Sequence, residues 1–515
     1  MESLHQGGLT QPLESLLVTI DAAQAVDLLH AHEGGSLEIS KVISTAAGFY
    51  EKVRYMVDYR EEHTIRRSAI ERILRRILFI QNSRPTGELL LQELVESKYV
   101  TKELVGPQMI AEVDAVLAQY LVLLNGARIQ TREMRHVVSF AASAVDVVLS
   151  PVSHAIDTGT AEAFYATVRT SVSNPSASSV LLDMQTYCAC YRALLGSDDQ
   201  MLAYALWRHA TAALTPEQCA QQLSALILSI EHALKDEMQW TLARRLKDEA
   251  IFFRVIREIV REKGSGAHAV LSDRGRIATF THEFLDKRLS LEQTRIQRSG
   301  VRAVMYLLMT KLILVAVVEW PYEHFILGSV NYVPLAINAL FHPLLLFGLT
   351  RRVGVPGSEN TEAIVDGVFQ IVTRGAPRAL TVRANRQAGI FGIIYFLMTL
   401  GLFGGVAALL QLLDFTIVGG ALFVLFLALV MYFAFRVRYR AAQWKVSAEE
   451  TGVFFVWQLL ALPIVRAGQW LSRSFSSINL IVVVMDFILE TPFRLLLNFS
   501  HQFLLYMREQ ADGVY

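Results

Sequence analysis

The sequence predicts an all-α protein of two unlike parts: an N-terminal cytosolic helical domain followed by a C-terminal polytopic α-helical membrane domain. Three observations carry that reading. Charge is spread through the chain as far as about Gly300, and then four apolar runs follow: Ala303–Leu327, Val330–Leu349, Ala388–Leu413 and Phe415–Phe435. Each run is close to the roughly 20 apolar helical residues that cross a hydrocarbon core about 30 Å thick. Before those runs, apolar residues recur at helical spacing, and strand-like alternation bounded by hairpin turns is missing. The expected organisation is a soluble domain over 1–300, four spans over 301–436, and an interfacial or cytosolic helical hairpin over 437–515.

Within 1–300 the helix signals are local. Ile65, Ala69, Ile70, Ile73, Leu74, Ile77 and Leu78 share a helical stripe. Thr215-Pro216-Glu217-Gln218 combines an N-cap, a first-turn proline and a capping-box glutamine, so a helix starts there. Ser290-Leu291-Glu292-Gln293 is a second such box and predicts the start of a helix that runs on into the first span. Breaks are expected at Gly34-Gly35, Asn82–Pro85, Gly106-Pro107, Ser150-Pro151, Asn174-Pro175, Gly196-Ser197 and Gly264–Gly266. No fixed-period repeat stands out.

Loop charge orients the spans. Arg288, Arg295, Arg298 and Arg302 precede the first, and Arg351, Arg352, Arg374, Arg378, Arg383 and Arg386 fill the loop between the second and third. Arg436, Arg438, Arg440 and Lys445 follow the fourth, whereas the two short connectors carry Glu319, Glu323, His324 and Asp414. Positive loops stay on the cytoplasmic side, so both termini are expected inside, in a plasma (inner) membrane. Trp320 and Tyr322 stand where an outer aromatic belt would lie. The first six residues show no basic segment leading into an apolar one, so no cleaved signal peptide is expected.

The tail reads as a hairpin because Val453–Val465 is only 13 residues long and ends near Pro463. Phe475–Leu497 is interrupted by Asp486, Glu490, Pro492 and Arg494. Six spans are the alternative, but they would leave Arg466 and Arg473 outside, against the charge rule. Ser447-Ala448-Glu449-Glu450 is a capping box for the first tail helix.

The stretch Tyr59–Leu78 places Arg60, Arg66, Arg67, Arg72, Arg75 and Arg76 around its Ile/Leu stripe. A basic amphipathic helix can lie on an anionic lipid surface. The plainer alternative is a surface helix with internal pairs such as Glu62 to Arg66 and Glu71 to Arg75. The run Tyr59-Arg60-Glu61-Glu62-His63, followed by Arg66 through Arg76, resembles a segment of uncharacterised multi-pass membrane proteins of small-genome bacteria. The likeness is confined to this stretch and implies a bacterial plasma membrane and no particular activity.

Composition excludes more than it names. Net charge is zero overall, with −4 over 1–300 and +4 over 301–515, so nucleic acid is not an expected partner. Cys188, Cys190 and Cys219 show no zinc spacing and read as inert or buried thiols. There is no phosphate-cradling glycine loop, no nucleophile elbow, and His282-Glu283 has Asp286 where a second zinc histidine is required. No cofactor and no metal are expected.

Ionisable residues inside apolar runs are the sharpest functional hint, because they cost several kcal/mol unless paired or wet. Lys311 and Glu319 are eight apart in the first span, His342 sits beside Pro343 in the second, and Asp486, Glu490 and Arg494 recur every fourth residue in the tail. Gly401-x-x-x-Gly405 in span three and Gly419-Gly420 in span four predict a tight hairpin of these two spans, with a homodimer contact as the alternative. The expected function is a non-enzymatic membrane anchor or scaffold, binding a protein partner through 1–300 beside the lipid bilayer. The alternative is a transporter or channel component built on the intramembrane charges, in which an oligomer would supply more spans.

Overall fold

The computed structural model describes residues 8–33, 62–80, 84–125, 131–174, 179–196, 198–351, 357–375, 380–381, 388–446 and 453–477. The chain is all-α with a membrane domain, and it divides into two compact units. The first comprises Met1–Asp286 with Gly357–Asn385; the second comprises Lys287–Pro356 with Arg386–Tyr515. The loop between spans two and three, placed by sequence within the membrane domain, thus belongs to the unit built mainly by the N-terminal part.

The first unit runs α1 (Gln11–Glu33), α2 (Glu62–Arg75), α3 (Gly87–Glu96), α4 (Pro107–Asn125), α5 (Thr131–Leu149), α6 (Pro151–Val168) and α7 (Ser179–Leu195). It continues through α8 (Asp199–Thr211), α9 (Pro216–Gln221), α10 (Leu223–Lys235), α11 (Glu237–Arg245), α12 (Lys247–Lys263) and α13 (Ala267–Leu271). Proline opens α4, α6 and α9, where its missing N–H is not needed by the helix. The expected capping box closes on Thr215 and Gln218. Asp198 and Asp236 cap α8 and α11 through a single side-chain bond each, accepting from Met201 N and Met238 N. At Ser150-Pro151 the chain turns by 113° between α5 and α6.

The core forms where α1 packs on α6, α2 and α4 on α5, α11 on α7, and α12 on α6. Phe164 stacks on Phe253 with ring centroids 4.6 Å apart, and Phe140 on Trp207 at 5.0 Å. The loop helix α16 (Ser358–Arg374) buries Ile364, Val365, Val368 and Val372 and packs on α12. A Cβ on Gly367 would overlap the Phe252 ring, so glycine is what permits this approach. A short parallel pair, Val172-Ser173 with Leu380-Thr381, ties the same loop to the chain after α6.

The charged helix α2 does not offer its arginines as a basic stripe. Arg66 donates to Asp146 at 2.6 Å and to Ser150 at 2.8 Å, and Arg67, 1% exposed, donates to both Asp198 oxygens at 2.7 and 2.8 Å. Arg75 pairs with Glu71 as expected, and Arg76 pairs with Glu93 on α3. Lipid docking by Arg66 and Arg67 is therefore corrected: both are spent on carboxylates of other helices. Arg60 lies outside the described residues, and Arg72 is in α2.

A long helix, α14 (Arg274–Leu314), carries the chain into the second unit. It starts at Arg274, so Ser290 is not a cap: its hydroxyl donates instead to the Lys287 carbonyl inside the helix. The span continues as π-helical turns over Val315–Glu319 and Tyr322–Leu327, on either side of Trp320-Pro321, and stops at Gly328 with φ 71°. Then come α15 (Tyr332–Arg351), α17 (Ala388–Leu412), α18 (Ile417–Ala441) and α19 (Val453–Ser477).

Among the described residues five helices are long and apolar enough to cross a membrane. Four coincide with the runs read from sequence. The fifth, Pro107–Leu124, is α4 of the first unit; its Glu112 binds His30 at 3.1 Å, and its Asp114 receives the Gly87 N–H that opens α3.

One expectation about the membrane unit changes. The glycines of span three do not make the tight hairpin: Cβ atoms at Gly401, Gly404 and Gly405 would meet nothing within 4 Å. The close contact is instead between α18 and α19, where a Cβ on Gly468 would overlap the Ala428 carbonyl. The first tail helix continues through Pro463 to Ser477 and packs along span four, and the second half of the expected hairpin lies outside the described residues. The Ser447 capping box lies outside the described residues.

Candidate functional site

Three spans bring the ionisable residues of the membrane unit together. Lys311 points from α14, Glu319 from the π turn that follows it, and Asn338 and His342 from α15. Asn338 and His342 are four apart and so share one face. The π turn alters the register of the first span just where Glu319 must turn inward. Span four contributes backbone, since Gly419 has no side chain to hold the others away. A Cβ there would stand 3.2 Å from Thr416 Oγ1 and 3.6 Å from Glu319 Oε1.

The contacts form a chain. Lys311 Nζ donates to Asn338 Oδ1 at 2.6 Å. Asn338 Nδ2 in turn donates to Glu319 Oε1 and, at 3.3 Å, to the Gly419 carbonyl. Lys311 Nζ also lies 4.2 Å from the Phe426 ring centroid, a cation–π contact suited to a dry site. His342 Nε2 is 2.9 Å from the Phe423 carbonyl, which can only accept, so that nitrogen carries the hydrogen. Glu323 is buried beside the cluster and its Oε2 receives the Asn331 N–H at 3.0 Å. Exposure is 1% for Lys311, 2% for Glu319, 3% for Glu323 and zero for Asn338 and His342. Among the described residues Glu319 Oε2 is buried without a hydrogen-bond partner.

Lys311, Glu319 and His342, singled out by sequence, therefore meet. Asn338 was not foreseen, although a polar pair four apart in an otherwise apolar span is a readable signal. Asp486, Glu490 and Arg494 lie outside the described residues. Of the packing glycines, Gly419 is part of the site, Gly420 touches Leu410 near the connector, and Gly401 and Gly405 take no part in it.

The first unit offers a second feature. A cleft of about 470 Å³ opens between α4, α8 and α9, lined by Tyr120, Leu123, Tyr204, Trp207, Arg208 and Cys219. Burial raises the Tyr120 phenol well above its ordinary value and also raises that of Tyr204, so both stay neutral hydrogen-bonding groups. The three thiols are free and buried. His282 binds Glu362 at 3.0 Å instead of a metal-ligand partner. Among the described residues no group of three or more His, Cys, Asp or Glu could hold a metal ion.

Fold and site together define an all-α membrane protein with a polar cluster enclosed among its spans. Compared with protein-family models, with curated proteins and with solved structures, the chain matches none.

Proposed function

We propose that the protein is a component of an ion-coupled transport system in the bacterial plasma membrane, with Lys311, Asn338 and Glu319 as the coupling site. One observation carries this reading: three membrane helices converge on a carboxylate, an amide and an ammonium, with one carboxylate oxygen left unpartnered. Polar residues used only to hold helices together need hydrogen bonds, not net charge. Ionisable groups at such depth mark ion or proton pathways by default. Loop charge supports cytoplasmic termini, which places Glu319 toward the outer end of the first span and Lys311 deeper.

Flux in proteoliposomes tests the reading. The purified chain is expected to move charge or protons along an imposed gradient, and Lys311→Ala and Glu319→Gln are expected to abolish the movement. A correctly inserted wild-type protein that moves nothing would sink it.

A second reading, an anchor whose first unit binds a protein partner, is favoured by the aromatic cleft with its single cation, Arg208. Its test is a Trp207→Ala, Arg208→Glu double variant. Loss of a co-purifying partner from that variant, with flux unchanged, supports the anchor; retention of the partner overturns it.

A further inference from the structure

We infer that Glu319 holds an exchangeable proton, which makes H⁺ the coupled ion of the transport reading on which this inference rests. The argument begins with charge. Among the described residues, the buried ionisable groups at the cluster are one ammonium, Lys311, and two carboxylates, Glu319 and Glu323. His342 keeps its hydrogen on Nε2 toward Phe423. Its Nδ1 stands a long 3.4 Å from the Asn338 carbonyl, beyond the usual reach of an N–H donor, about 2.7–3.2 Å, so the ring is read as neutral. Among these described groups one negative charge is then in excess inside an apolar bundle, where an uncompensated ion is costly.

Geometry selects the carboxylate. Glu323 has a backbone N–H on Oε2. Among the described residues Glu319 receives only Asn338 on Oε1, and its Oε2 is buried without a partner. Lys311 reaches it only through the Asn338 amide, so no ammonium hydrogen lies on the carboxylate itself. A buried oxygen with no protein donor is where the charged form is least supported and a proton most needed.

A metal cation fits less well. Lys311 already places a positive charge on Asn338, the one amide that bridges the site. Among the described residues, the titratable or charged groups facing Glu319 are Lys311 and Glu323 on its own span, and His342 on α15 faces Lys311. Span four presents the Gly419 carbonyl and Thr416. The step needs no other reactant: Glu319 takes H⁺ from water on one side of the membrane and returns it to water on the other.

Infrared difference spectroscopy of the full-length protein in phosphatidylethanolamine–phosphatidylglycerol vesicles tests this. Stepping from about pH 6, where ordinary exposed carboxyls are already ionised, to alkaline pH is expected to remove a protonated-carboxyl C=O band that shifts in D₂O. The band should be missing from Glu319→Gln, an isosteric change that retains an oxygen for Asn338. Lys311→Met should hold the band to higher pH, because the ammonium that favours ionisation is gone, and circular dichroism on both variants confirms that they fold. A band that survives in Glu319→Gln, no band at all, or a band displaced by sodium or potassium at fixed pH overturns the inference. Flux of a solute without the band refutes the proton site and leaves transport standing. The band without any flux refutes transport and leaves the proton site standing.

Discussion

The backbone of Gly468 in α19 lies so close to Ala428 in span four that a single added carbon would overlap the Ala428 carbonyl. Because the obstacle is backbone, no side-chain rotation can relieve it. Gly468→Val is therefore expected to separate α19 from α18 and destabilise the membrane unit by about 1–3 kcal/mol or more, the usual scale of overpacking. Gly401→Val and Gly405→Val face open space and are expected to leave stability unchanged. Thermal unfolding of the three variants in detergent checks the contrast. Equal melting of all three would mean that α19 does not pack on span four as described.

The same contact sets the depth of the tail helix. Ala428 is near the middle of α18, which spans Ile417–Ala441. The connection of 11 residues between α18 and α19, three of them in a 3₁₀ turn, extends to roughly 34 Å at most. A parallel arrangement through Gly468 and Ala428 would need it to reach back about 42 Å, so α19 runs antiparallel to α18. From Gly468 the helix continues nine residues to Ser477, about 14 Å, while Ala428 is about 17 Å from Ile417. The prediction is that α19 is a membrane-crossing helix and that a cysteine at Ser476 is labelled by an impermeant thiol reagent from outside intact cells. Labelling only after lysis would restore the cytosolic hairpin.

These results show which parts were legible and why. Lipid makes a severe demand on composition, so the four spans and the odd residues within them, Lys311, Glu319 and His342, stand out in one dimension. Asn338 was missed because an uncharged amide in an apolar run carries less weight than a charge, although here it joins the other two. The arginines of α2 were misread for a different reason. Asp146 is 80 residues from Arg66, and Asp198 is 131 from Arg67, so nothing local marks them as partners. Glycine spacing likewise says that a helix face is smooth and not what covers it: Gly401 and Gly405 fit the motif, whereas Gly468, outside any motif, makes the contact.

Cys188 and Cys190 lie fully buried on α7. Burial pushes the Cys188 thiol up to about 12 and raises Cys190 well above its ordinary value, so neither supplies thiolate near neutral pH. Both are expected to resist alkylation in the folded protein and to react fully in denaturant, as read by mass spectrometry. Rapid native alkylation would contradict the packing of α7 against α6 and α11. Resistance would also make Cys188 and Cys190 silent in the Ser476 labelling, for which Cys219 of the cleft is replaced by serine.

Asp146 joins two helices and should make the first unit acid-sensitive. It accepts from Arg66 at 2.6 Å and lies 3.0 Å from His154 Nε2, with its carboxylate fully buried. Burial pushes the carboxyl upward, but hydrogen bonds and charge from His154 and Arg66 outweigh it and hold the group below its ordinary value. A carboxyl depressed on folding contributes stability at pH above its unfolded value, about 3.9, and loses that contribution as pH falls through that value toward the lower folded one. Asp146→Asn removes the charge at every pH and strands Arg66, so a loss of about 3–5 kcal/mol is expected near neutrality. The wild type should then lose stability on acidification more steeply than the variant, and the gap between their denaturant midpoints should narrow as pH drops. A gap independent of pH would mean that the Asp146 charge is not what holds α2 to α5.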